Sequence, residues 1–283
     1  MIREEKGRKR LAAGYILLAL WGIVFLASAF LLVKENRRAK EQKETFEGLR
    51  KMVETEGRLE NLWRSDQGRS SSLALKDRIL PESWKAEWEK EAKDRLAGYW
   101  VLKKENPDFA GWIRIVGTNL DYPVMLRQGQ TDYYLYRDFY GKESSCGTPY
   151  LSEVCAYGLE TTNFLISGHH MKDGSMFASL SNYREKWYFL SHPYVQFDRT
   201  DEVGSYEIAA VIQLDASKDS AICQNLLFPQ KEEEFERAWE QVKRMGFYDT
   251  GVELSADDRL LALLTCEYSL SDGRLLLVAR RIL

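Results

Sequence analysis

The sequence predicts a mainly β domain, a closed barrel or a sandwich, behind a single transmembrane helix. From Phe109 onward about eight short strand-like runs alternate with turns at uneven spacing, without the regular intervening helices that parallel βαβ units need. Leu11 to Val33 is apolar throughout and holds no charged residue. Two of the three histidines, His169 and His170, and one of the four cysteines, Cys266, each close an apolar run.

Residues 1–10 form a short basic tail with Arg3, Lys6, Arg8, Lys9 and Arg10. At ~1.5 Å rise per residue the 11–33 run is long enough to cross a ~30 Å hydrocarbon core. It is too long for the apolar core of a cleaved signal peptide, and few buried soluble helices are apolar on all sides for so long. The span therefore reads as a membrane anchor. Lys34, Arg37, Arg38, Lys40 and Lys43 follow it, so the charge bias sets no orientation. The shortness of the tail favours a cytoplasmic N-terminus and an extracellular C-terminal part.

Residues 34–80 read as a charged helical stalk and linker. Phe46, Leu49, Met52, Val53, Leu59 and Leu62 recur at helical spacing, the charge run forms a solvated face, and Gln67 to Ser72 breaks the helix. Residues 81–283 form the main domain. A helix over 81–105 carries Trp84, Trp88, Leu96, Tyr99 and Leu102. The barrel or sandwich follows over 106–283.

The strand-like runs are Gly111–Ile115, Asp121–Met125, Tyr133–Phe139, Thr162–Ser167, Tyr194–Asp198, Tyr206–Leu214, Leu260–Leu264 and Arg274–Ile282. Helical insertions are expected at Met176–Tyr183 and, amphipathic, at Lys231–Met245. A formal charge of −3 without a strongly basic domain argues against nucleic acid as a partner. The cysteines, Cys146, Cys155, Cys223 and Cys266, form no CxxC pair and no zinc-like spacing. Whether Cys146 and Cys155 pair is left open by the sequence. No metal-ligating cluster stands out, and no cofactor is expected.

The chemistry centres on Cys266, which stands at the end of one strand with Arg274 opening the next. A cysteine nucleophile needs a proton acceptor and a donor for the developing oxyanion. His169 or His170 can serve as the first. With unperturbed pKa values of ~8.5 and ~6.5, the thiolate–imidazolium pair would hold only about one percent of the neutral-pH population. A nearby cation shifts that balance toward thiolate. Arg274 is the candidate cation and can also donate paired hydrogen bonds to an oxyanion. Asp173, Glu267 and Asp272 are the carboxylates that could orient the histidine, each also readable as a solvated turn residue. His192, before Pro193, and Cys223, in a polar stretch, read as structural and incidental.

Across about Asn106 to Leu283 the chain resembles the class B sortases. The resemblance rests on Gly111-Trp112-Ile113, Asp121-Tyr122-Pro123-Val124, Tyr133-Tyr134-Leu135 leading to Asp138-Phe139 and Gly141, and Ser167 to Phe177 around Gly168-His169-His170. The family signature TLxTC falls on Ala262-Leu263-Leu264-Thr265-Cys266, with Ala262 where the signature has Thr. The helix expected at Lys231–Met245 resembles the insertion that marks class B.

The resemblance implies a closed sortase-type β-barrel and a membrane-anchored cysteine transpeptidase without a cofactor. It implies Cys266 as nucleophile, His169, which directly follows Gly168, as acid/base, and Arg274 as transition-state stabiliser. Thr265, Leu264, Leu263 and Glu267 are expected to contact substrate. That substrate is the C-terminal sorting signal of secreted proteins, and the acceptor an amine of a peptidoglycan precursor. A cysteine hydrolase, a pilin-polymerising enzyme and a non-catalytic tethered barrel are the alternatives.

Overall fold

The computed structural model describes residues 2–53, 95–130, 132–152, 163–266 and 272–282, with the side chains of 2–19 and 220 outside that description. The chain divides into two units, residues 1–45 and 46–283. Helix α1 (Ile2–Val53) accounts for all of the first that is described. There the apolar side chains from Leu20 to Val33 stay exposed, Trp21 at 68% and Phe25 at 72%. Among the described residues no helix is long and apolar enough to cross a membrane. The expected span, 11–33, lies only partly within them, because the side chains of 11–19 are not described.

The second unit begins with the last two turns of α1. Phe46, Leu49 and Val53 share one helix face and are buried in the core of this unit. The Phe46 ring meets Tyr122 edge-on at 5.3 Å, and Arg50 pairs with Asp121 at 2.7 Å. The residues expected as a stalk thus include a stretch that belongs to the domain. The proposed link at Gln67–Ser72, with Trp84 and Trp88, lies outside the described residues. Helix α2 (95–105) continues the domain. It is tied down by a buried network in which Arg95 Nε, at 2.8 Å, and Tyr99 OH, at 2.9 Å, both donate to Asp198 Oδ2.

Eight strands form the barrel: β1 (Phe109–Arg114), β2 (Asp121–Met125), β3 (Tyr150–Leu151), β4 (Phe164–Ser167), β5 (Tyr194–Arg199), β6 (Ser205–Asp215), β7 (Leu260–Cys266) and β8 (Gly273–Arg281). They close in the order β1-β2-β3-β4-β7-β8-β6-β5, with β1 pairing β5 to complete the ring. The β4/β7 and β2/β3 pairs are parallel, and the rest are antiparallel. Closure selects the barrel over the sandwich and leaves none of these strands at an open sheet edge.

Strand alternation sorts the apolar residues into two layers. Leu261 and Leu263 of β7, with Leu275, Leu277 and Ala279 of β8, enter the core shared with β1, β2 and β5. Leu260, Ala262, Leu276 and Val278 face the other way, toward helices α4 (Ser220–Leu227) and α5 (Glu232–Met245). In α5, Phe235, Ala238, Trp239 and Val242 form the buried stripe. Glu232, Glu233 and Glu234 in its first turn and Lys243 and Arg244 in its last complement the helix dipole.

Three expectations need correcting. Tyr133–Phe139 is not a strand: Tyr133–Tyr136 is a 3₁₀ turn in which Tyr134 alone is buried. Its aromatic run suits a strand only where a neighbouring strand offers a pleated, half-buried face. The strand in that part of the barrel is the two-residue β3, too short to give a periodic signal. Helix α3 (Lys186–Ser191) and α4 also go beyond the expected insertions, and Cys223, read as incidental, packs from α4 against the outer apolar layer.

Candidate active site

The site forms where β4, β7 and β8 meet. Because β4 and β7 run parallel, both end at the same rim, and Ser167 stands beside Leu264. Because β8 runs back along β7, its start returns to that rim, and Cys266 stands opposite Arg274. Topology alone thus brings residues around 168, 266 and 274 together from three remote parts of the chain. Cys266 shares a face of β7 with Ala262 and Leu264, and Arg274 shares one of β8 with Leu276 and Val278. Both therefore belong to the outer face of the barrel wall. Cys266 is a free, half-buried thiol. Arg274, also half-buried, donates through Nη1 to Gly273 O at 2.9 Å.

The histidine segment is fastened to β7. Gly168 N–H donates to Leu264 O at 3.1 Å, and Thr265 Oγ1 donates to Gly168 O at 2.8 Å. Gly168 is required by close approach: a Cβ there would lie 2.8 Å from the Phe177 ring. The segment then doubles back, with Phe177 N–H donating to His169 O at 2.9 Å. Met176 holds a left-handed φ of 55°, its N–H bonded to Tyr122 OH at 3.1 Å.

The two histidines have different partners. His169 Nε2 lies 2.7 Å from Leu135 O, and its ring lies against Tyr136, centroids 5.3 Å apart. A carbonyl only accepts, so Nε2 carries the hydrogen and Nδ1 is the atom left to exchange a proton. His170 Nδ1 lies 3.1 Å from Cys266 O and 3.3 Å from Ser181 Oγ. Asp173 accepts from Ser175 N–H at 3.0 Å and Ser175 Oγ at 2.6 Å, the pattern of a turn residue.

Of the expected substrate contacts, Leu264 is half-buried on the face of Cys266, whereas Leu263 and Thr265 are turned inward. Leu263 is fully buried in the core, and Thr265 is 2% exposed. Strand alternation is the reason: only every second residue of the signature faces outward. The Thr265 side chain joins the two strands' ends instead. Glu267 lies outside the described residues.

Three contributors escaped the sequence reading. Leu135 acts through its carbonyl, which no side-chain pattern announces. Tyr136 is 60% exposed beside His169, and its neighbours suggested a strand. Tyr150, on the short β3, donates to Asp132 Oδ1 at 3.1 Å. Burial and then the Asp132 carboxylate push its phenol well up, with Cys266 close enough to add to the effect. Among the described residues no group of three or more His, Cys, Asp or Glu could hold a metal ion.

No family model matches the chain. Over 177 residues it is 31% identical to a sortase B of Listeria monocytogenes, a stretch that covers 62% of this chain and 69% of the relative. The chain belongs to the class B sortases. A sortase B of Staphylococcus aureus is 29% identical over 185 residues, covering 64% of this chain and 73% of the relative. Among solved structures, a mutant form of Clostridium perfringens sortase B gives a TM-score of 0.62 at 26% identity, over 81% of this chain and 99% of that one. Sortase B from Listeria monocytogenes gives 0.56 at 29% identity, over 64% and 98%. A sortase B complexed with triglycine gives 0.58 at 26% identity, over 71% and 98%. The family's activity, cysteine transpeptidation, is that of this chain, carried on the eight-stranded barrel described above.

Proposed function

We propose that Cys266, His169 and Arg274 carry out the sortase reaction on the outer wall of the barrel, in a domain held to a membrane by residues 11–33. The Cys266 thiolate attacks the carbonyl after a Thr in a C-terminal sorting signal. Arg274, directly across the ladder, donates to the oxyanion that develops. His169 passes a proton through Nδ1 to the leaving amine, which departs as the thioacyl bond forms. An acceptor amine then gives up its proton to Nδ1, attacks the thioacyl carbon and releases the thiolate. The observation that carries this assignment is the pairing of Cys266 with Arg274 on the wall's outer face. The triglycine bound to the related sortase B supports an amine acceptor of that kind, which in this reading belongs to a peptidoglycan precursor.

The anchor is supported by the exposed apolar side chains from Leu20 to Val33, which a membrane would cover, and by the basic residues on both sides of the run. In this reading the chain crosses once and its domain is extracellular. Thr265 and Leu263 serve the site from inside the wall, and Leu264 lies along the substrate's path.

The test incubates the full chain, in detergent micelles, with a library of sorting-signal peptides. Intact mass is read for wild type and Cys266→Ala. An acyl adduct on wild type alone, released by triglycine, is expected. An adduct on Cys266→Ala, or wild-type turnover by Arg274→Lys, would remove the corresponding role. The Lys ammonium cannot reproduce the planar fork of arginine.

A further inference from the structure

We propose that His170 is a positioning residue whose ring completes the β4/β7 ladder at the rung that holds the nucleophile. In that parallel pair Gly168 N–H donates to Leu264 O at 3.1 Å. A parallel ladder advances two residues per rung, so the next acceptor is the carbonyl of Cys266 and the next backbone donor would be residue 170. The backbone does not go there. His169 O accepts from Phe177 N–H, and His170 pairs with Met176 in an isolated bridge as the segment doubles back. The side chain of His170 takes the place instead, with Nδ1 3.1 Å from Cys266 O. Since a carbonyl only accepts, Nδ1 carries a hydrogen whether the ring is neutral or protonated. Ser181 Oγ, 3.3 Å from the same nitrogen, stands beside that bond.

The consequence for Cys266 is orientation. It is the last residue of β7, standing opposite Arg274 of β8, and its carbonyl meets the His170 ring on the β4 side. Without the ring's N–H the carbonyl would turn to water, and the peptide plane that directs Sγ would be free to swing. A displacement of about 1 Å at a reacting atom costs on the order of 100-fold in rate. The adjacent histidines therefore divide the work: His169, fixed by Leu135 O, moves protons, while His170 holds the backbone of the thiol. The inference rests on Cys266 being the nucleophile.

Three variants of the full chain in detergent micelles test it, with a substrate peptide identified in the library screen. His170→Asn places an amide N–H where Nδ1 was, His170→Gln places it one bond too far, and His170→Ala removes it. We expect the Ala and Gln variants to lose roughly 10- to 100-fold in kcat with KM nearly unchanged, and Asn to stay within about 3-fold of wild type. Thermal unfolding is expected to be alike in all four proteins, because the freed carbonyl at the rim is hydrated. Wild-type kcat in His170→Ala, or an Asn variant as slow as Ala, overturns the proposal. Turnover retained by Cys266→Ala would instead sink the nucleophile assignment on which it stands.

Discussion

Thr265 Oγ1 donates to Gly168 O at 2.8 Å, joining the residue before Cys266 to the residue before His169. Together with the Gly168 N–H bond to Leu264 O, this side chain ties the strand end of the proposed nucleophile to the segment of the proposed acid/base. Replacing Thr265 by Val keeps the shape and removes the donor, losing a part-buried hydrogen bond worth about 0.5–1.5 kcal/mol. Thermal unfolding should fall accordingly and kcat should drop with it, whereas Thr265→Ser should recover both. A Val variant with wild-type melting and rate would show that the segment is held elsewhere.

Gly168→Ala should be nearly inactive. The added methyl would meet the Phe177 ring at 2.8 Å, and the histidine segment would have to move away from β7. Trimming the obstacle, in Gly168→Ala with Phe177→Leu, should restore part of kcat. If the double variant is no better than the single one, crowding is not the reason glycine stands there.

Thiol reactivity should separate the cysteines. Burial, then Asp219, pushes the Cys223 thiol up to about 11, and burial also raises Cys146. Treatment with iodoacetamide at pH 7.5, followed by peptide mapping, should label Cys266 and leave Cys146 and Cys223 unmodified. Labelling of Cys223 at the rate of Cys266 would contradict the packing of α4.

The Glu202 carboxyl is held below its ordinary value of 4.5, chiefly by the hydrogen bond from Arg281, whose Nη2 lies 2.7 Å from Oε1. A depressed carboxylate contributes stability that is complete above its unfolded pKa and is lost as pH falls through the folded one. The pair should therefore support β8 equally from pH 5 to 8 and release it only in more acid solution. Melting curves from pH 3 to 7 should show a shallower acid limb in Glu202→Gln. An identical limb would mean that this pair is screened by solvent.

Much of the barrel was legible because its strands announce themselves. The runs at 260–264 and 274–282 alternate between two apolar layers, and the short turn between them already implied that Cys266 faces Arg274. The approach of His169 depended on β4 running parallel to β7, a long-range pairing that no local pattern encodes. Tyr133–Tyr136 misled because aromatic residues suit a strand only in a context the sequence does not carry. Leu263 and Thr265 turn inward because a sequence signature marks neighbours in the chain, while a strand sends only every second side chain to one face. Leu135 contributes a backbone carbonyl, a group that every residue has.

The inward layer of the barrel is filled, and Cys266 belongs to its outer wall. In the proposed reaction an acyl group on this thiol therefore rests against the enzyme rather than inside it. Neither the bulk of the chain that donates that group nor the bulk of the amine's carrier is measured against a chamber. Selection then falls on the few residues that lie along the wall beside the thiol.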